Sequence, residues 1–190
     1  GITKQQLKAY EYFKTIQTNK KIHLIGHSKG GNLALFIGIV CNEKRLNQIS
    51  KIITFNAPQF KIDKLDLYIN RIKNKRFLDK ILIIENEKDF VSSMFRSIKQ
   101  PLIISSKYQG NHFIDFYESH QIWGFKIENN ELIVCDSKRK MKFIKLLKKT
   151  MLYMAISKAI FSIKQKKIKK NLKKLLLNSA KLQAIMMSLF

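Results

Sequence analysis

The stretch Ile22-His23-Leu24-Ile25-Gly26-His27-Ser28-Lys29-Gly30-Gly31-Asn32-Leu33-Ala34-Leu35-Phe36-Ile37-Gly38-Ile39-Val40 decides the fold. Its opening run, Ile22–Ile25, is short and apolar, as a buried strand is. Glycines then punctuate the chain, and Asn32–Val40 has the apolar density of a helix packed on a core. Gly26-His27-Ser28-Lys29-Gly30 fits the pattern G-x-S-x-G directly between strand and helix. In that setting the serine occupies a sharp turn, with its Oγ exposed at the C-terminal edge of the sheet and at the positive end of the following helix. Gly26 and Gly30 are expected to let the strand and helix backbones approach closely.

Outward from this stretch the chain alternates between strand and helix. Residues 3–18 read as a helix, because Thr3 and Gln6 have capping-box spacing and Leu7, Tyr10, Phe13 and Ile16 form one stripe. Downstream of a polar loop at Cys41–Asn47, further strands are expected at Ile52–Phe55, Ile81–Ile84 and Leu102–Ser106. Helix-capable segments, Leu65–Ile72 and Val91–Ile98, precede the last two. Such alternation predicts the α/β class with a mostly parallel sheet. Gly124–Ile127 and Glu131–Val134 flank Asn129–Asn130 as a hairpin would.

A serine hydroxyl is a weak nucleophile until a base takes its proton, so a carboxylate and a histidine are expected downstream, in that order. Asp89 follows the strand Ile81–Ile84 at loop distance. Glu85 lies too close to the strand end for the role, and Glu87 reads as a solvated surface acid. Among the histidines, His23 lies inside the first strand and His27 is expected to point away from Ser28. His112 and His120 both follow the fourth strand, and periodicity does not choose between them.

The segment Gly26–Ala34 resembles the elbow of the class 3 lipases and, more closely, of a bacterial lipase-like branch, the Mbeg-like hydrolases. Ile53-Thr54-Phe55-Asn56-Ala57-Pro58 resembles that group's strand and Asx/Gly-Pro loop, and Lys88-Asp89-Phe90-Val91 its acid segment. His120-Gln121-Ile122-Trp123-Gly124-Phe125 resembles its histidine segment, in which an aromatic stands five residues after the histidine. The resemblance covers residues 3–136. It implies the C-terminal part of an α/β-hydrolase fold, with Ser28 as nucleophile, His120 rather than His112 as base, Asp89 as acid and Lys29 N–H as an oxyanion donor. Esters, lipid esters among them, are the implied substrates, with no metal or organic cofactor. The chain departs from the group at Phe125, usually Trp, and at Asn56, often Asp. The second oxyanion donor of that fold comes from a loop early in the chain, before the helix that precedes the elbow. The chain is therefore expected to be part of a longer protein or a decayed remnant, with Ile22–Ile25 at an open sheet edge.

Composition bounds the rest. With 45% hydrophobic residues and 11% aromatics in 190 residues, a wholly disordered chain is excluded. Cys41 and Cys135 belong to no CxxC or Cys/His spacing, which argues against a zinc site or a disulfide framework. The net charge of +24 is uneven, since residues 137–190 hold 16 cations and no acid. Lys, Ile and Asn abound throughout, however, a bias that an AT-rich genome produces without selection for a partner. The composition shift near Asp136 predicts a division into a hydrolase part, 1–136, and a basic amphipathic helical tail, 137–190. Residues 138–190 suit an anionic membrane surface, whereas few aromatics and no recognised module speak against nucleic acid. Met151–Ile163 is the most apolar late segment, and Lys158 interrupts it, so a membrane span is not expected. A cytoplasmic protein, peripheral at the membrane, is the corresponding expectation. The alternative is a non-catalytic basic protein that binds membrane or nucleic acid and retains a truncated hydrolase fold.

Overall fold

Four runs of β-branched residues lie side by side in the computed structural model of the chain, in the order in which they occur in the sequence. They are β1 (Ile22–His27), β2 (Ile49–Phe55), β3 (Ile81–Asn86) and β4 (Leu102–Ile104), all parallel and ordered β1-β2-β3-β4. The structure describes residues 2–60, 68–95, 97–110, 113–146, 149, 156–158, 161–162 and 165–166. The chain divides into two compact units, Gly1–Ile144 and Lys145–Phe190. The first is a mixed α/β unit and carries every element named below. In the second, the described residues are helical, with Ile156 and Phe161 exposed. Most of the expected amphipathic tail lies outside the described residues.

Because all four strands are parallel, their C-terminal ends share one edge, where such sheets carry their ligand sites. Packing on one face fixes this frame. There α1 (Lys4–Thr15) and α2 (Lys29–Val40) cover a cluster that includes Phe13, Leu35, Phe36, Ile39, Ile49, Ile52 and Phe77. A smaller cluster comprises Ile84, Ile104 and Phe125, packed against Ile53 and Phe55. The capping box at Thr3 and Gln6 forms as the spacing predicts. Gln6 does more than cap: its Nε2 donates to Asn32 Oδ1 at 2.8 Å, and Asn32 Nδ2 donates to Pro58 O at 2.9 Å. One buried polar chain thus ties α1, α2 and the loop after β2 together. At the sheet's edge lies β1, with Ile25 61% exposed.

Local side-chain chemistry moved several boundaries. The second helix starts at Lys29, so Gly30 and Gly31 are helical rather than part of a longer turn. The expected loop at Cys41–Asn47 contains α3 (Glu43–Gln48), nucleated where Asn42 accepts from Arg45 N–H. Of the segment Leu65–Ile72, residues 65–67 lie outside the described residues. Helix α4 spans Ile69–Lys73, and Asn74 then caps a further turn, α5 (Lys75–Leu78). Val91–Ile98 is not helical over its described residues. There the Asp89 carboxylate accepts from Val91 and Ser92 N–H and holds the chain in turns. Fourth in the sheet, β4 stops at Ile104, and Ser106 makes an isolated bridge to Phe125. After α6 (Phe113–His120), the hairpin is shorter than expected, β5 (Ile127–Glu128) against β6 (Glu131–Leu132), with Asn129 and Asn130 at positive φ. The first compact unit runs to Ile144, with Lys140 buried in it.

Candidate active site

Ser28 stands at the junction of β1 and α2 with φ 51° and ψ −124°, a backbone state that costs an L-residue about 1–3 kcal/mol. Both its peptide groups are held, the N–H by Phe55 O at 2.8 Å and the C=O by Asn32 N–H at 3.2 Å. These contacts to β2 and to the first turn of α2 over-determine the strained turn. The close approach that allows it comes from Gly26, where an added Cβ would lie 2.3 Å from Gly30 C and 2.5 Å from Gly31 N. Gly30 does not play the part expected of it, since a Cβ there would meet nothing within 4 Å. Gly31 does so instead, with Ala57 Cβ at 2.7 Å and Gly26 O at 2.8 Å from its would-be Cβ. Lys29 is the first residue of α2, and amides in a helix's first turn have no acceptor within the helix.

The turn after β3 supplies Asp89, and the C-terminus of α6 supplies His120. Asp89 is fully buried, and its Oδ2 accepts from Ser92 N–H at 2.9 Å. Its Oδ1 lies 2.9 Å from His120 Nδ1, and His120 Nε2 lies 2.9 Å from Ser28 Oγ. A carboxylate can only accept, so Nδ1 carries the proton and Nε2 presents its lone pair to the serine hydroxyl. Ser28, His120 and Asp89, separated by 92 and 31 positions in sequence, thus form one hydrogen-bonded chain. His112 lies outside the described residues.

Several residues that hold this chain were given no role by the sequence. Asn56 is fully buried at φ 47°, and its Nδ2 donates to His120 O at 2.8 Å and to Ser119 O at 3.2 Å. Its Oδ1 accepts from Asn86 N–H at 2.7 Å. One side chain therefore joins the ends of β2 and β3 to the last carbonyls of α6, groups that a helix leaves without internal partners. Asn immediately after a strand and before Ala-Pro was the available signal, because Asn tolerates the left-handed region. His27, beside the serine in sequence, reaches the histidine: its Nε2 lies 2.7 Å from His120 O, and the two rings stand 5.0 Å apart. A carbonyl only accepts, so His27 Nε2 is the donor.

The two rival acids have partners of their own. Glu87 is not a solvated surface acid but is buried. It accepts from Ser106 N–H at 3.0 Å and pairs with Arg139 at 2.9 Å. Glu85 belongs to β3 itself and pairs with Lys140 at 2.6 Å. Among the described residues no group of three or more His, Cys, Asp or Glu side chains could hold a metal ion.

The fold and this edge define a mixed α/β protein with a parallel four-stranded sheet and a Ser-His-Asp hydrogen-bond chain at its C-terminal end. The chain matches the model of the Mbeg1-like family over residues 2–175, and it belongs to that family. No curated protein and no solved structure matches it.

Proposed function

We propose that the chain is a serine hydrolase of carboxylic esters, lipid esters among them, on an α/β-hydrolase type of fold. The observation that carries this is the pair of 2.9 Å contacts linking Ser28 Oγ to His120 and His120 to Asp89. Ser28 Oγ attacks the ester carbonyl while His120 Nε2 takes its proton, and buried Asp89 stabilises the imidazolium that forms. The tetrahedral oxyanion develops beside the start of α2, where Lys29 N–H donates to it. Collapse expels the alcohol, which takes the proton from His120, and leaves an acyl ester on Ser28. Water, deprotonated by His120, then attacks this ester; the Ser28 Oγ–acyl bond breaks, Oγ takes that proton back from His120, and the acid is released. Neither a metal nor an organic cofactor takes part in these steps.

Among the described residues no helix is long and apolar enough to cross a membrane. We place the protein on the cytoplasmic side, with the cations of residues 138–190 other than the paired Arg139 and Lys140 held electrostatically at an anionic bilayer that presents the substrate; the excess of cations with no acid in this segment supports this. Covalent labelling by a fluorophosphonate tests the function. Wild type should be labelled at Ser28 and Ser28→Ala should not. An unlabelled wild type, or a variant labelled as fast, would overturn the proposal.

A further inference from the structure

Lys140 stands in the acid-free, cationic segment after Asp136, yet its ammonium is buried within the first unit. Only 4% of the residue is exposed, and Nζ contacts Glu85 Oε2 at 2.6 Å, Ser92 Oγ at 2.7 Å and Asn86 O at 3.2 Å. Asn86 and Ser92 flank Asp89, Asn86 at the end of β3 and Ser92 in the turn after it. Ser92 receives the ammonium on its hydroxyl and donates its N–H to Asp89 Oδ2 at 2.9 Å. We propose that Lys140 is a positioning residue for Asp89, clamping the acid-bearing turn to β3 so that the carboxylate stays aligned with His120.

This rests on the ester-hydrolase reading of Ser28. The segment after Asp136 then belongs to the machinery of the site, although it carries no reacting atom. Removing a long lysine from a surface would do little. Here three oxygens lose their common donor, and two carboxylates are left in one low-dielectric region. Burial pushes the Glu85 carboxyl upward first of all; Lys140 pulls it down, and the Asp89 charge pushes it up again. Lys140 and Asp89 are the charged groups that act on Glu85, while Arg139, the neighbour of Lys140, is turned to Glu87.

The sign of the pH effect follows. Without Lys140, Glu85 rises further and is neutral at low pH, where its carboxyl can donate to Ser92 or Asn86. As pH rises it ionises, and an uncompensated charge appears beside Asp89.

The experiment compares wild type, Lys140→Met, Lys140→Met/Glu85→Gln and Ser92→Ala in the full chain. Fluorophosphonate labelling rate and kcat and KM for a short-chain nitrophenyl ester are measured from pH 5 to 9, normalised to the folded fraction. K140M should approach wild type at the acid end and fall about 10- to 100-fold in kcat at the alkaline end, at similar KM. The double variant, which has no carboxylate to ionise, should lose that step. S92A keeps the ion pair and the contact with Asn86 O but removes the hydroxyl that joins Lys140 to the turn at Ser92, and should fall several-fold; it serves if K140M does not fold. Wild-type rates and pH profiles in K140M, or a fall in folded fraction alone, would overturn the clamp. A wild type that neither labels nor turns over ester would overturn the reading of Ser28, and the positioning role of Lys140 with it.

Discussion

Replacing Gly26 by Ala should cost far more than the same change at Gly30, although both are glycines of one G-x-S-x-G motif. None of the described glycines has a positive φ, so the requirement at these positions is for space and not for backbone freedom. At Gly26 the new Cβ would stand 2.3 Å from Gly30 C, 2.5 Å from Gly30 O and 2.5 Å from Gly31 N. Ordinary carbon contacts lie at about 3.5–4.0 Å, so the overlap exceeds about 1 Å. Its partners are backbone atoms, which cannot rotate away, and relief requires α2 to move off β1. That motion would break the Leu35, Ile39 and Ile52 packing and the two hydrogen bonds that hold Ser28. Overpacking typically costs about 1–3 kcal/mol, and with helix displacement about 3 kcal/mol is a fair lower bound. In a unit of this size each kcal/mol is worth about 2–4 °C in Tm, which makes the expected loss roughly 10 °C. At Gly30 the Cβ meets nothing within 4 Å, and the residue lies in the first turn of α2. Alanine there should be neutral or stabilise by up to about 1 kcal/mol through helix propensity. Urea and thermal unfolding of the two variants, followed by far-UV circular dichroism, provide the test. A G30A variant destabilised as much as G26A, or a G26A variant within 1–2 °C of wild type, would refute this account of the strand–helix approach.

The remaining predictions concern the site and the thiols. His120→Ala should reduce fluorophosphonate labelling and ester turnover about 10⁴-fold or more, whereas His112→Ala should leave both nearly unchanged; equal losses would assign the base wrongly. Asn56→Ala removes a donor from two helix-terminal carbonyls and an acceptor from Asn86 N–H, and puts at φ 47° a residue that tolerates the left-handed region less well than asparagine. Destabilisation of about 2–5 kcal/mol in urea unfolding is expected, with slower labelling of the folded fraction; a loss under about 1 kcal/mol would contradict it. Burial raises the thiols of both Cys41 and Cys135, so each holds less thiolate at neutral pH than an exposed cysteine. Both should react with an aromatic disulfide reagent more slowly than glutathione does, and their rates should climb as pH rises above the ordinary thiol range. Finally, the chain should co-sediment with anionic vesicles in a salt-sensitive way, and a version ending at Ile144 should not; equal binding by the shortened form would remove the tail from membrane attachment.

Sequence by itself determined the α/β class of the first unit and where its strands lie along the chain. Ile22–Ile25, Ile52–Phe55 and Ile81–Ile84 are short, largely apolar runs of strand length, bounded by polar or glycine signals. It also marked the Ser28 turn, because G-x-S-x-G between a strand and a helix is a local pattern in which each residue's neighbours are close in sequence. Asp89 and His120 were legible through order and resemblance, since spacing alone left His112 open. Only the tertiary structure decided which glycine must be small, because Gly30 and Gly31 differ in what lies across from them and not in their own chemistry. The same holds for the acids. Glu85, Glu87 and Asp89 are alternating carboxylates in one short run, and their roles are set by Lys140, Arg139 and His120, which arrive from 31 to 55 positions away. Lys140 looks like any other lysine of a cationic tail, and Asn56 like a turn residue. Burial turns the first into a clamp and the second into a bracket for α6, because a polar group removed from water must find its partners inside the fold.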